Sequence, residues 1–177
     1  DRMSKRNNHF PKIPKDKYYT WDKRPGIALM NFIPLDTRYY EPCVGAGDLI
    51  KTLLPLECVG FSDEEKDARS HKYYTMSAEC FITNPPWTRS LLHPIIDNLR
   101  LQLPTWLLFD ADWMHTAQAA PYLKYCKTII SVGRVKWIPE STMDGYDNIA
   151  WYQFVINQTP TTFYGRTIAA ALKGETK

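Results

Sequence analysis

Residues 39–49 read YYEPCVGAGDL, and this stretch decides the fold class. Residues 39–44 are typical of the end of a β-strand, and residues 48–54 are typical of a helix. Between them lie Gly45 and Gly47, which tolerate a positive φ and leave no Cβ between the backbone and a ligand. The stretch therefore predicts a strand, a glycine turn and a helix whose first N–H groups suit a carboxylate.

The alternation of strands and helices continues along the chain. Apolar runs predict further strands over 57–61, 79–83, 105–109, 128–135 and 148–156. Helices are predicted over 89–101, interrupted or restarted at Pro94, and over 115–125. Strands separated by helices predict an α/β fold with a Rossmann-like, doubly wound and mostly parallel sheet, buried on both faces. Since no helix separates the last two strands, we expect an antiparallel hairpin that closes the sheet edge.

The composition is that of a globular protein. The 177 residues are 44% hydrophobic and 23% charged, which excludes a disordered chain or a fibre. No apolar run approaches the roughly 20 residues of a membrane helix, so we expect no membrane partner. We predict a single domain over 1–177, with a basic leader over 1–16 and a tail over 157–177.

Charge and cysteine usage place weak limits on function. The net charge of +3 permits a nucleic-acid partner without requiring one. Basic residues concentrate before residue 25, where a solvated leader and a phosphate-contacting arm are equally open interpretations. The four cysteines show no CxxC spacing, which favours reduced thiols in a cytoplasmic protein. None of the four histidines lies at metal-ligand spacing, so no metal is predicted.

Asp63 follows the predicted strand over 57–61. A carboxylate at the end of the strand after a glycine turn can accept both hydroxyls of a ribose. The alternative is that Asp63 only caps a helix that begins at Glu64. The turn lacks the third glycine of a dinucleotide fingerprint and the Gly-Lys-Ser/Thr of a P-loop, so NAD and ATP are disfavoured.

Residues 84–87 read NPPW and directly follow a predicted strand. Two prolines end the strand, and Pro86 restricts Pro85 to extended geometry, which fixes the direction of the Pro85 carbonyl. This carbonyl and the Asn84 side-chain oxygen can together accept the two hydrogens of an exocyclic amine. Trp87 offers a flat face on which a flipped base can stack. The alternative is a loop whose prolines and tryptophan merely pack.

These motifs resemble those of the class I S-adenosylmethionine-dependent amino-methyltransferases, above all the DNA N6-adenine methyltransferases. The NPPW stretch is similar to their Asn/Asp/Ser-Pro-Pro-aromatic signature. Residues 41–47 look like their first cofactor motif, and residues 18–20 look like an upstream aromatic-Thr motif. The resemblance covers residues 17–156, and small phage or prophage members look most similar in length.

The resemblance implies a role for each matching residue. The cofactor would be S-adenosyl-L-methionine, with its methionine moiety held by the glycine turn and the upstream motif and its ribose held by Asp63. The target amine would be held within the second motif, with Trp87 stacked on the base. The implied catalytic residues are Asn84, Pro85, Pro86 and Trp87, and the implied cofactor-binding residues are Tyr19, Thr20, Glu41, Pro42, Cys43, Gly45, Gly47 and Asp63.

The chain departs from the family in two places. No acidic residue stands in 71–78, where relatives often contact the cofactor adenine. The sequence also leaves no room for a separate target-recognition domain, so recognition would fall to the loop over 135–147, to the basic leader or to a partner protein.

The implied activity is methyl transfer to the N6 amine of adenine in DNA, in the cytoplasm, or in the host cytoplasm if the protein is phage-encoded. N4-cytosine in DNA and N6-adenine in RNA remain open as substrates. A glutamine side chain is disfavoured because Trp87 replaces the tyrosine of the relatives that methylate it. From another class, a non-catalytic methyltransferase-fold subunit that binds nucleic acid also remains open.

Overall fold

The computed structural model describes residues 16, 19–74 and 77–166. The helices and strands follow one another as α1 (Arg24–Met30), β1 (Arg38–Glu41), α2 (Asp48–Thr52), β2 (Glu57–Phe61), β3 (Cys80–Thr83), α3 (Arg89–Arg100), β4 (Thr105–Asp110), α4 (Ala120–Leu123), β5 (Cys126–Gly133), β6 (Ile149–Phe154) and β7 (Thr162–Tyr164). Two short 3-10 turns, Ala111–His115 and Ala117–Ala119, lie between β4 and α4.

The seven strands form one mixed sheet in the order β2-β1-β3-β4-β6-β5-β7. The pairs β1–β2, β1–β3 and β3–β4 are parallel, whereas β6 is antiparallel to both β4 and β5. The predicted doubly wound sheet with an antiparallel hairpin is thus confirmed. The chain runs from β1 outward to β2 and then crosses to β3 on the other side of β1, so the strand order reverses between β1 and β3. Ligand sites of open α/β sheets lie at such a reversal.

Both faces of the sheet are covered, because successive strand residues point to opposite sides. In β4, Trp106 and Leu108 pack into one core with Leu29 of α1, while Leu107 and Phe109 pack into the other. The second core also takes Leu92, Ile96 and Leu99 from the inward face of α3. Trp113, Trp151 and Tyr152 are completely buried. Burial on both faces explains why the strands read as continuous apolar runs rather than as alternating patterns.

Several predicted elements differ from those observed. The helix predicted over 115–125 is replaced by the two 3-10 turns and the one-turn α4, because Thr116 takes an extended conformation with ψ of 148°. Pro94 does not interrupt α3. Because proline has no N–H, the carbonyl of Ser90 lacks its helical hydrogen bond. Ser90 is exposed, so water can take the place of that donor.

Two further differences concern the ends of the domain. The predicted hairpin does not close the sheet, because β7 pairs in parallel with the outer side of β5. Strand β7 therefore lies within the segment predicted as a tail, and α1 lies in a segment for which no element was predicted. Of the predicted leader, only Asp16 belongs to the described residues. Within the described ranges, no helix combines the length and the apolar character that a bilayer crossing requires.

Candidate functional site

A cavity of about 760 Å³ opens where the carboxyl ends of β1, β2 and β3 meet. The turn after β1 forms one side of it, and the turn after β3 forms the opposite side. The residues that start α3 and the loop between β5 and β6 complete the wall. This volume lies in the range of about 300–1,000 Å³ that is typical of small-molecule sites.

The turn after β1 depends on its glycines. Gly45 and Gly47 have φ of 52° and 79°, values that side chains with a Cβ rarely adopt. The turn is tied to the end of β2 by two hydrogen bonds: the Val44 N–H donates to the Ser62 carbonyl at 2.9 Å, and the Gly45 N–H donates to Asp63 Oδ2 at 3.1 Å. Asp63 therefore sits beside the glycine turn. The alternative that it caps a helix is wrong, because residues 64–66 form a turn instead.

Tyr19 covers the glycine turn from above. A Cβ added to Gly45 would lie 2.5 Å from Tyr19 Cε1, closer than real Cβ contacts allow. At Gly47, by contrast, nothing lies within 4 Å of such a Cβ. Tyr19 remains 41% exposed, so its ring forms part of the cavity mouth. The Tyr19 ring thus occupies the space beside Gly45 that any side chain would need.

Glu41 lies at the floor of this side of the cavity and is only 1% exposed. Its carboxylate accepts a hydrogen bond from the Cys43 N–H at 2.9 Å. Burial, together with the negative charge of Asp63, raises the pKa of Glu41 to about 8. Burial and the neighbouring Glu41 also raise the pKa of the Cys43 thiol, which is therefore not a nucleophile at neutral pH.

The Asn84 side chain projects from the end of β3 and is held at both of its polar atoms. Its Nδ2 donates to Thr20 Oγ1 at 2.9 Å, and its Oδ1 accepts from the Trp87 indole N–H at 2.9 Å. The same indole N–H also reaches the Leu108 carbonyl of β4 at 3.2 Å. The amide is thus fixed by a residue from before α1 and by a residue three positions downstream.

Asp16 holds the rest of this turn. Its carboxylate accepts hydrogen bonds from the N–H groups of Trp87 and Thr88, at 2.8 and 3.3 Å, and from the Thr88 hydroxyl. Thr88 is the N-terminal cap position of α3, and its own side chain makes no capping bond. Asp16 therefore ties the residues just before α3 to a distant part of the chain, and its negative charge lies near the helix N-terminus, where it is favourable.

The loop between β5 and β6 forms the outer wall. Arg24 bridges Asp22 and Asp144, with N–O distances of 2.7 and 2.8 Å, and so ties this loop to the start of α1. Trp137 packs edge-on against Trp87, with ring centroids 5.6 Å apart and an interplanar angle of 83°. Tyr146, which is half exposed, and the exposed Asp147 lie along the same wall. The wall therefore carries aromatic rings next to Asn84.

The structure brings together nearly all the residues predicted for the site. Every one of them except Gly47 lines the cavity. Thr20 was predicted beside the methionine part of a cofactor, but its hydroxyl contacts Asn84. Tyr18 of the upstream motif lies outside the described residues. Sequence reasoning missed Asp16 and Tyr146, because nothing in the adjacent sequence marks contacts that arise only from the fold.

The two sides of the cavity differ in chemistry. The glycine-turn side carries the carboxyl groups of Glu41, Asp48 and Asp63, which suit the cationic groups and hydroxyls of a ligand, and the loop after β2 adds the cations Lys66 and Arg69 to the lining. The Asn84 side offers carbonyl acceptors beside aromatic rings, and the carboxylates of Asp16 and Asp147 also belong to its wall. Among the described residues, no group of three or more His, Cys, Asp or Glu side chains is placed to hold a metal ion.

Comparison with known proteins rests on structure alone. No family model matches the chain, and no curated protein matches it. The chain is similar to a type I restriction-modification system methyltransferase subunit from Streptococcus thermophilus, with a TM-score of 0.53 and 10% identity over 92% of this chain and 53% of the other. It is also similar to a putative class I S-adenosylmethionine-dependent methyltransferase from Listeria monocytogenes, with a TM-score of 0.52 and 7% identity over 94% and 72%.

These similarities establish the class I methyltransferase fold. The chain spans about half the length of the Streptococcus thermophilus subunit.

Proposed function

We propose that this protein transfers a methyl group from S-adenosyl-L-methionine to the N6 exocyclic amine of adenine in DNA. One observation carries the proposal: the Asn84 amide, oriented by hydrogen bonds at both ends, faces the same cavity as the glycine turn. A site of this kind would hold the methyl donor on one side and, on the other, the amine that receives the methyl group.

The glycine-turn side fits S-adenosyl-L-methionine. The Tyr19 ring packs on Gly45 at the edge of the cavity, and Asp63, which accepts a hydrogen bond from the Gly45 N–H, would also accept the ribose hydroxyls. Glu41, Pro42 and Cys43 line the same cavity as Tyr19, and they would contact the methionine part. When bound, this cofactor supplies an electrophilic methyl carbon on a positively charged sulfur. The acidic residues on this side suit that charge.

The Asn84 side prepares the amine for attack. The lone pair of an aromatic amine is delocalised into the ring, so the nitrogen is a poor nucleophile. The Asn84 Oδ1 and the Pro85 carbonyl would each accept one amine hydrogen, which favours pyramidal geometry and directs the lone pair across the cavity. Pro86 holds the Pro85 carbonyl in its direction. As the bond from nitrogen to the methyl carbon forms, the bond from that carbon to sulfur would break and leave the sulfur neutral, and the proton lost by the nitrogen would pass to water.

A base must leave the helical stack to reach this cavity. Trp87 would stack on the flipped base, a contact worth roughly 1–3 kcal/mol. Trp137, edge-on to Trp87, would close the far side of the slot. Two indole rings at this wall favour a planar heterocycle over a glutamine side chain.

DNA is the substrate that the comparisons favour, since one of the similar structures is a methyltransferase subunit of a restriction-modification system. That similar protein is itself a subunit of a larger system, which supports a partner protein that supplies target recognition here. Cytoplasmic location is supported by the four cysteines, all of which are free thiols.

The decisive experiment replaces the amine acceptor. Asn84→Ala should reduce methyl transfer by on the order of 100-fold, because one of two groups that stabilise the developing charge is lost. Its affinity for S-adenosyl-L-methionine, measured by calorimetry, should stay within about twofold of the wild type. The matched control is Asn31→Ala, an exposed asparagine at the end of α1. Undiminished transfer in Asn84→Ala would refute the mechanism.

The product identifies the substrate. Mass spectrometry of nucleosides from DNA and RNA of cells that express the protein should show N6-methyladenine in DNA. N4-methylcytosine, or methylated adenine confined to RNA, would replace the proposed substrate while the site chemistry stands. If calorimetry detects no cofactor binding by the wild type, the protein is instead a non-catalytic subunit with this fold.

A further inference from the structure

The Trp87 indole makes a contact that base stacking does not require. Its N–H lies 2.9 Å from Asn84 Oδ1 and 3.2 Å from the Leu108 carbonyl, so it points toward the end of the sheet. The ring is half-buried and packs against both hydrophobic cores. A residue whose sole task was stacking would need only a flat face, and phenylalanine would supply one.

The amide of Asn84 has two possible orientations that differ by a half-turn about its last torsion. In the observed one, Nδ2 faces the Thr20 hydroxyl and Oδ1 faces the Trp87 N–H. The reversed one would place the NH₂ group against the indole N–H, and both groups only donate. The Thr20 hydroxyl can donate or accept, so it tolerates either orientation. Of these two contacts, the one with Trp87 therefore favours the observed orientation.

The selected orientation matters for amine binding. An amide oxygen has two lone pairs, so Oδ1 can accept from Trp87 and from a target amine together. The reversed amide would present an NH₂ group to the amine hydrogens, and donors would face donors. Protein molecules in which the Asn84 amide is reversed would therefore be unable to bind the amine productively.

We infer that Trp87 is a positioning residue for Asn84, through its indole N–H, in addition to any stacking by its ring. This inference rests on the proposed function, since it concerns how the amine acceptor is held. It predicts that the N–H and the ring of Trp87 make separable contributions: the N–H to turnover and the ring to binding of the nucleic acid.

The test removes the N–H and keeps the ring. Replacement of Trp87 by 3-benzothienylalanine exchanges the N–H for sulfur in a bicycle of nearly the same shape. We expect kcat to fall about tenfold, while KM for DNA and the Kd for S-adenosyl-L-methionine stay within about twofold. Trp87→Phe should lower kcat similarly and also raise KM for DNA, because stacking area is lost. A benzothienyl variant with wild-type kcat would overturn the inference.

A second readout does not depend on activity. The indole N–H signal of Trp87 in a ¹H–¹⁵N spectrum, identified by its loss in Trp87→Phe, should move in Asn84→Ala and stay in place in Asn31→Ala. An unmoved signal in Asn84→Ala would show that the contact does not exist in solution, whatever the activity. If the signal moves but the wild type methylates no nucleic acid, the contact stands and the proposed function falls.

Discussion

The two sides of the cavity are built in different ways. The glycine turn, residues 42–47, takes its shape from local backbone geometry, with two glycines at positive φ, and is bordered by the carboxyl groups of Glu41 and Asp63. The turn over 84–88 takes its shape from distant residues: Thr20 lies 64 positions before Asn84, and Asp16 lies 71 positions before Trp87. The first side, called the acidic side after these two carboxyl groups, is shaped mainly by its own backbone, and the second is held from afar.

The difference follows from what each side has to hold. A cationic ligand with hydroxyl groups is bound by carboxylates and by close backbone, which a short turn can provide. A neutral amine needs two acceptors at a fixed mutual direction, and small errors in placement are costly to catalysis. Hydrogen bonds to both ends of the Asn84 amide, together with the Asp16 contacts just before α3, provide that precision.

The largest expected effect is on the acidic side and concerns Glu41. Its folded-state pKa of about 8 exceeds the ordinary value of 4.5, so between these pH values the folded protein holds a proton that the unfolded chain has lost. The contribution of Glu41 to the free energy of unfolding is fully present below pH 4.5 and is lost as the pH rises through 8. The loss amounts to at most ~1.4 kcal/mol per pH unit. Urea unfolding at pH 6, 7 and 8 should therefore show a steeper loss of stability in the wild type than in Glu41→Gln.

The control for this experiment is Glu140→Gln, which changes an exposed glutamate. It should keep the wild-type pH dependence. The window from pH 6 to 8 lies above the range in which the aspartates with lowered pKa titrate, so their opposite contribution does not interfere. If the free energy of unfolding depends on pH in the same way in the wild type and in Glu41→Gln, Glu41 is ionised at neutral pH. The floor of the cavity would then carry one more negative charge.

The next largest effect separates the two glycines. An alanine at either position should destabilise the fold by about 1–2 kcal/mol, because it must adopt a left-handed backbone. Only at Gly45 would the added Cβ collide with Tyr19. We expect Gly45→Ala to weaken the binding of S-adenosyl-L-methionine about tenfold, as measured by calorimetry. Gly47→Ala should lose similar stability in thermal unfolding and keep most of its affinity. Equal losses of affinity in both variants would show that the packing of Tyr19 on Gly45 plays no part in binding.

The same contrast explains what the sequence could predict. The glycine turn could be predicted because it needs residues without a Cβ directly after a strand, and both features are visible in adjacent residues of the sequence. Strand β4 and most of α3 were found for a similar reason, since a buried apolar run and a helical apolar period are local patterns. The NPPW turn was located because two prolines after an apolar run must end a strand.

The supports of that turn could not be predicted in the same way. Asp16 belongs to a segment that reads as a basic leader, and only the tertiary fold brings its carboxylate to Thr88. The short strand β7 gains its stability from pairing with β5 rather than from its own three exposed residues. Likewise, Thr116 ends the helix predicted over 115–125 through its extended backbone, which propensity alone does not reveal.

Thr20 gives the smallest expected effect and the sharpest test of the division into two sides. Family resemblance places it with the cofactor, whereas its hydroxyl lies 2.9 Å from Asn84 Nδ2. Thr20→Val keeps the shape and removes the acceptor, so kcat should fall about fivefold, in line with a neutral hydrogen bond worth about 1 kcal/mol. Thr20→Ser should restore kcat to within about twofold, and neither variant should change the Kd for S-adenosyl-L-methionine. A raised Kd with an intact kcat would instead assign Thr20 to the acidic side, and the amide of Asn84 would then depend on Trp87 for its orientation.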